Sequence, residues 1–228
     1  MAPGFPAHQQ PPQQQDFPSQ ELYAPSPQFT WAELQSMAAD GVLTPLYEKS
    51  FTPSGLDATP RLRARAAALV VPDRIRRKVI AGRMTAAWIY GCADAPERLS
   101  LLVDAKHRIS SLRSARGCIL HEVRLGQLDV VSIGGLLVTS PLRTAVDVAL
   151  HVEADRALPA LRMLLSQEEL GVRLRLLTLA VEASARVPHK KAALRKLATL
   201  ALGANARPAR ASPPEALPPE AFPPGEAA

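Results

Sequence analysis

Apolar positions fall into short blocks between about residue 30 and residue 202, and each block carries a helical or a strand period. Trp31, Leu34 and Met37 share one face at helical spacing, with Thr30 and Glu33 placed as a capping box, so a short helix runs from 30 to Gly41. Residues 42–46 and 49–52 read as two short strands around a turn. A helix over 59–69 has Pro60 at its first position and stops before Pro72.

Residues 78–81 (KVIA) make a short buried strand. A helix over 83–90 follows, closed by Gly91. Residues 99–103 (LSLLV) form a strand. In 118–125, Ile119, His121 and Val123 alternate with Leu120, Glu122 and Arg124, which is the strand period. Residues 129–133 and 136–138 pair as a hairpin turned by Gly134-Gly135. The clearest helix starts next, with Ser140 as cap and Pro141 as first residue. Its Leu142, Ala145, Val146, Ala149 and Leu150 line one face. Three more helices cover 155–165, 168–185 and 188–202.

These elements predict an α/β (α+β) fold: a small mixed sheet with helices, a partial winged-helix-like unit at 29–56, and a body at 57–203 that ends in C-terminal helices. The flanks differ. Residues 1–28 are rich in Pro and Gln, and residues 204–228 alternate Pro-Pro with Ala and Glu. Both are expected to be disordered, because they hold too few apolar groups to offset chain entropy.

Composition narrows this picture. Of 228 residues, 47% are hydrophobic but only 4% aromatic, so the core must be mostly Leu, Val and Ala. No apolar run reaches the roughly 20 residues that span a bilayer. The start of the chain lacks a secretory pattern, which predicts a cytoplasmic protein without a membrane partner. The net charge of +6 is unevenly spread: residues 1–60 hold one basic residue, Lys49, against six acidic ones. The surplus of positive charge therefore sits in the body, which favours polyanionic partners.

Candidate chemistry is sparse. Asp104-x-Lys106 at a strand end has the local form of a metal-dependent nuclease, which would need a second carboxylate such as Asp94 or Glu122. His107, Cys118, His121 and Cys92 do not have the paired spacing of structural zinc. Arg143 and Asp147, one turn apart, can pair on the helix surface. Alternatively Arg143 anchors the adjacent strand or a partner, with Asp147 orienting it. Two basic clusters remain. The first contains Arg74, Arg76, Arg77 and Lys78, the second Lys190, Lys191, Arg195 and Lys196; either could follow a phosphate backbone. No catalytic, metal or cofactor site is expected.

The segment from Leu34 through Met37, Asp40-Gly41 and Pro45 to Tyr47, followed by the Thr59-Pro60 helix, resembles the front of the AbiEi-type antitoxins of type IV toxin–antitoxin systems, in their actinobacterial version. Thr85, Trp88 and Gly91 match that group's core helix motif. Thr139, Ser140, Pro141, Arg143 and Asp147, after the Gly134-Gly135 turn, match its hairpin-then-helix signature. The resemblance implies an N-terminal winged helix followed by an α/β antitoxin domain. It also implies a non-enzymatic regulator that binds its own operator DNA and opposes a nucleotidyltransferase-like toxin without a stable complex. The restriction-endonuclease-like domain of some relatives is not expected here.

The winged-helix remnant is acidic, with Glu33, Asp40 and Glu48 against Lys49. DNA contacts are therefore expected from the two basic clusters rather than from the wing. The alternatives are a protein-interaction module that has lost DNA binding, and a divergent nuclease using Asp104 and Lys106.

Overall fold

The structure is a computed structural model that describes residues 21–105, 117–184 and 187–205, with side chains as far as Leu202. The N-terminal unit is the helix α1 (Trp31–Ala39) and the hairpin β1 (Leu43–Tyr47) and β2 (Ser50–Pro53). The capping box forms as its residues demand: Glu33 N donates to Thr30 Oγ1 at 3.3 Å, and Thr30 N donates to Glu33 Oε2 at 2.7 Å. Leu34, Leu43 and Phe51 make a small core of their own, with Trp31, Phe29 and Tyr23 packed on it.

Order begins earlier than the Pro/Gln composition suggests. Tyr23 exchanges two backbone hydrogen bonds of 2.8 Å with Phe51, Leu22 is buried in the main core, and Glu21 pairs with Arg65 at 3.5 Å. The Tyr23 backbone pairing, the buried Leu22 side chain and the Glu21 ion pair hold residues 21–23, whatever the composition around them. The expected disorder at 1–20 and 206–228 lies outside the described residues.

The body opens with α2 (Pro60–Val70), capped by Thr59, whose Oγ1 accepts from Leu62 N. One turn of helix follows, α3 (Asp73–Arg76), where the sequence pattern assigned no element. Its Ile75 is buried, and that single apolar anchor fixes it. The five-stranded sheet then runs in the order β5-β4-β3-β7-β6, from β3 (Ile80–Ala81), β4 (Leu99–Asp104), β5 (Cys118–Val123), β6 (Val130–Ile133) and β7 (Leu136–Thr139). It is mixed: β4 and β5 are parallel, as are β3 and β7, while the β3–β4 and β6–β7 pairs are antiparallel. Gly134 and Gly135 both take left-handed φ, 56° and 83°, as a tight hairpin turn requires.

Helix α4 (Arg83–Ile89) sits between β3 and β4, and α5 (Pro141–His151) follows β7. Then come α6 (Ala154–Ser166), α7 (Leu174–Ala183) and α8 (Lys190–Asn205). The expected continuous helix over 168–185 is broken. A 3-10 turn spans Glu168–Leu170, and Gly171 follows with φ 64°, a left-handed residue that ends helical propagation. Asp129 likewise ends a 3-10 turn rather than starting a strand.

Leu99, Leu101, Leu136, Leu161, Leu164 and Leu177 are fully buried in one core with Val71 and Val79. Each such leucine contributes about 1.5–3 kcal/mol by leaving water. The N-terminal unit is tied to this core through Tyr47, whose ring lies 4.9 Å from that of Trp88. Among the described residues no helix is long and apolar enough to cross a membrane.

Candidate functional site

The residues of the two recognised motifs meet where α4, β7 and α5 pack together. Thr85 is fully buried and its Oγ1 accepts from Ser100 N at 2.7 Å, which fixes α4 on β4. Gly91 ends α4 at φ 78°, and a Cβ there would lie 2.6 Å from Arg63 Nη1. Tyr90 Oη donates to Thr139 O at 2.8 Å. The Thr139 and Thr144 hydroxyls stand 2.7 Å apart, and Thr144 Oγ1 also donates to Thr139 O.

Ser140 departs from its expected role. Its side chain makes no capping bond, and its backbone N–H donates to Asp129 O at 2.8 Å instead. Pro141 does stand at the first helical position.

Arg143 is the hub of this region. Its Nε donates to Asp147 Oδ1 at 3.0 Å, and its Nη1 to Asp129 Oδ2 at 2.6 Å and to Arg124 O at 3.2 Å. Asp129 Oδ2 also accepts from Gly126 N at 2.8 Å. The pair is thus not an isolated intrahelical bridge on the surface. Arg143 is 17% exposed and Asp147 4%, and together they lock α5 to the turn before β6. Burial pushes the Asp147 carboxyl above its usual value, although Arg143 and Arg83 oppose that push. Its Oδ2 is buried without a hydrogen-bond partner.

A second polar group adjoins the first. Arg83 begins α4 with a left-handed φ of 52°, and its Nη1 lies 3.1 Å from His121 Nε2 on β5. Contact with an arginine requires the acceptor form of that ring nitrogen, so His121 is neutral here. Burial and then Arg83 hold its pKa below the ordinary value. His151, at the end of α5, keeps an open edge. Desolvation of its ring, followed by Arg83, His121, His189 and Arg143, pushes its pKa down to about 4. Linear sequence gives no sign of this grouping, because its members come from α4, α5, β5 and the turn before α8.

The basic clusters divide by partner. Arg76 Nη2 donates to Val71 O at 3.1 Å and pairs with Asp73 at 2.6 Å, so it closes the turn between α2 and α3. Lys190 donates to Glu182 O and Ser184 O, at the end of α7. Lys196 Nζ donates to Ala149 O at 2.9 Å and Val152 O at 2.5 Å, at the end of α5. These three cations satisfy helix-terminal carbonyls, the favourable end of the macrodipole for positive charge. Arg74, Arg77, Lys78, Lys191 and Arg195 are exposed, and their side chains have no hydrogen-bond or ion-pair partner among the described residues.

The other candidate chemistries meet geometric obstacles. The parallel register sets Val103 beside Glu122 and Asp104 beside Val123. Side chains alternate along a strand, so Asp104 and Glu122 lie on opposite faces of the sheet and cannot share a metal. Lys106 and His107 lie outside the described residues. Cys118 and His121, three apart on β5, also project to opposite faces. The buried Cys92 thiol faces Tyr90 O at 3.7 Å, and burial lifts its pKa to about 11. Among the described residues no three His, Cys, Asp or Glu side chains group as a metal site.

Comparison with known proteins agrees with the motif reading. The family described as "AbiEi antitoxin C-terminal domain" matches residues 80–200. Among solved structures, the RV2827C protein of Mycobacterium tuberculosis is similar at 14% identity over 72% of this chain and 69% of that one, with a TM-score of 0.33. A likeness that loose carries no argument about this chain. No curated protein matches it. The matched span runs from β3 into α8 and contains both the Arg143 hub and the Arg83 group, so the chain belongs to the AbiEi antitoxin family through its C-terminal domain.

Proposed function

We propose that this protein is a type IV antitoxin that also represses its own operon by binding DNA. It would act in the cytoplasm, without a cofactor or enzymatic step, and antagonise a nucleotidyltransferase-like toxin without a stable complex. Family membership supports the antitoxin role. One observation carries the DNA reading: Arg74, Arg77 and Lys78 are exposed and unpaired among the described residues, while Asp73, the acid beside them, is taken by Arg76. Positive charge not neutralised within the protein is what phosphates attract. Lys191 and Arg195 add a second exposed pair on one face of α8, four residues apart.

The N-terminal unit contributes less to this reading. Along α1 the exposed polar residues include Glu33, Gln35, Ser36 and Asp40, with no cation, and the ammonium of Lys49 sits 5.7 Å over the Trp31 ring. We assign this partial winged helix, residues 29–56, to packing on the body through Tyr47 rather than to groove entry.

The test is fluorescence anisotropy with the upstream DNA of the gene over a salt series. Changing Arg74, Arg77 and Lys78 to Ala should weaken binding and flatten the salt slope by about 2.7, or about 0.9 per lost phosphate contact. A triple variant that binds as the parent does, or no binding at low salt, sinks the DNA reading. Co-expression with the adjacent gene product tests the antitoxin role separately, by survival.

A further inference from the structure

A cavity of about 440 Å³ opens between the end of α5, the start of α6 and the first turns of α8. Its wall carries Arg83, Arg195, Lys196, His151 and His189 against one carboxylate, Glu153. Leu150, Leu158 and Ala192 supply an apolar side. The volume falls in the range of small-molecule sites, roughly 300–1,000 Å³.

Three further observations converge on this place. First, donors are left over. Lys196 uses two of the three N–H groups of its ammonium on Ala149 O and Val152 O, while its charge stays fixed at the wall. Arg83 Nε is buried with no hydrogen-bond partner, and the Arg195 guanidinium has none either among the described residues. Second, α6 starts at this wall with no side-chain cap, so its first N–H groups lack that partner. Third, among the described residues only Glu48, Arg83 and His189 are non-glycine residues with left-handed φ, and two of the three line this cavity. Such conformations are costly and gather where function holds them in place.

We propose that this cavity binds a phosphorylated small molecule of nucleotide size. Arg83, Arg195 and Lys196 would hold the phosphate, and the leucine side would receive the rest of the ligand. The wall is assembled from separate elements around a concavity, a shape that suits a phosphomonoester better than the continuous backbone of a duplex. Arg195 thus belongs both to this wall and to the second exposed pair on α8, whereas Arg74, Arg77 and Lys78 are not part of the cavity.

Isothermal titration of the full chain with AMP, GMP and inorganic phosphate tests it. At least one nucleotide should bind saturably with a Kd below about 1 mM. Arg195→Gln should weaken that binding by about tenfold or more, since a charge-assisted contact to phosphate is lost. Lys191→Gln removes the same charge from the same helix but lies outside the cavity, and should change affinity by less than about twofold. Arg83→Gln provides a second variant from another wall, with a thermal melt to confirm folding. The Arg74, Arg77, Lys78 triple variant should lose DNA affinity and keep the nucleotide. Three results overturn the proposal: no saturable nucleotide binding, equal weakening by Arg195→Gln and Lys191→Gln, or inorganic phosphate binding as tightly as the nucleotides.

Discussion

Arg143 Nη1 stands 2.6 Å from Asp129 Oδ2, which joins the first turn of α5 to the 3-10 turn ahead of β6. The same guanidinium holds the buried Asp147. Removing the arginine strands an almost fully buried carboxylate. Arg143→Ala should therefore cost about 3–5 kcal/mol in urea unfolding. Asp147→Asn should cost far less, about 1 kcal/mol, because burial already disfavours its charge and Arg143 keeps Asp129. Equal losses in the two variants would show that Asp147, not the arginine, organises the network.

The histidines set a pH dependence. His151 is held at about 4 and His121 below its ordinary value of 6.5, so the unfolded chain binds more protons than the folded one in that interval. Both contribute stability that is present above about 6.5 and is lost as pH falls through their depressed values, about 4 for His151. Chemical denaturation at pH 7.5, 6 and 5 should show falling midpoints, and His151→Gln should reduce the fall. The effect should be modest because the ring keeps contact with solvent. An unchanged slope in that variant would remove His151 from the account.

Gly134 and Gly135 separate strain from crowding. Both take left-handed φ, but a Cβ on Gly134 would lie 2.7 Å from the backbone oxygen of Arg61, whereas Gly135 faces open space. Gly135→Ala should cost about 1 kcal/mol from backbone strain alone. Gly134→Ala should cost roughly twice that or more, since α2 would have to shift. Thermal melts of the two variants compare them directly.

The lysine at the end of α5 offers a contrast with the exposed cations. Lys196→Met removes two bonds to carbonyls at that helix end and should lower stability by about 1–2 kcal/mol. Its DNA salt slope should match that of the parent. A slope reduced as much as by Arg77→Ala would mean that Lys196 contacts phosphate after all.

Much of this fold was legible because local rules and packing agree in it. The Thr30–Glu33 box, Thr59-Pro60, the paired glycines and the apolar stripe of α5 each specify their element without help from afar. Where the reading failed, a distant contact decided the outcome. Tyr23 is held by Phe51, Ile75 by the core, and Ser140 makes no side-chain cap bond while its backbone N–H is taken by Asp129 O. Gly171 carried a local signal for the break before α7, and the apolar spacing on either side of it outweighed that signal. The basic clusters were visible as charge, but which cations face solvent depends on carbonyls that only the packed helices present. The Arg83 group could not be seen at all, since sequence spacing says nothing about four elements converging.

Among the described residues, the two-residue β3 is the only strand that links the β4–β5 and β6–β7 pairs, through Ile80 and Ala81. From so narrow a waist we expect the two pairs to act as hinged leaves rather than one plate. Opening at the hinge would break few ladder bonds while each leaf stays intact, so amide hydrogens of Ile80 and Ala81 should exchange before those of Leu101 or Val138. Helix α4, which packs on both β4 and β7 and carries one of the family motifs, then braces the two leaves against each other.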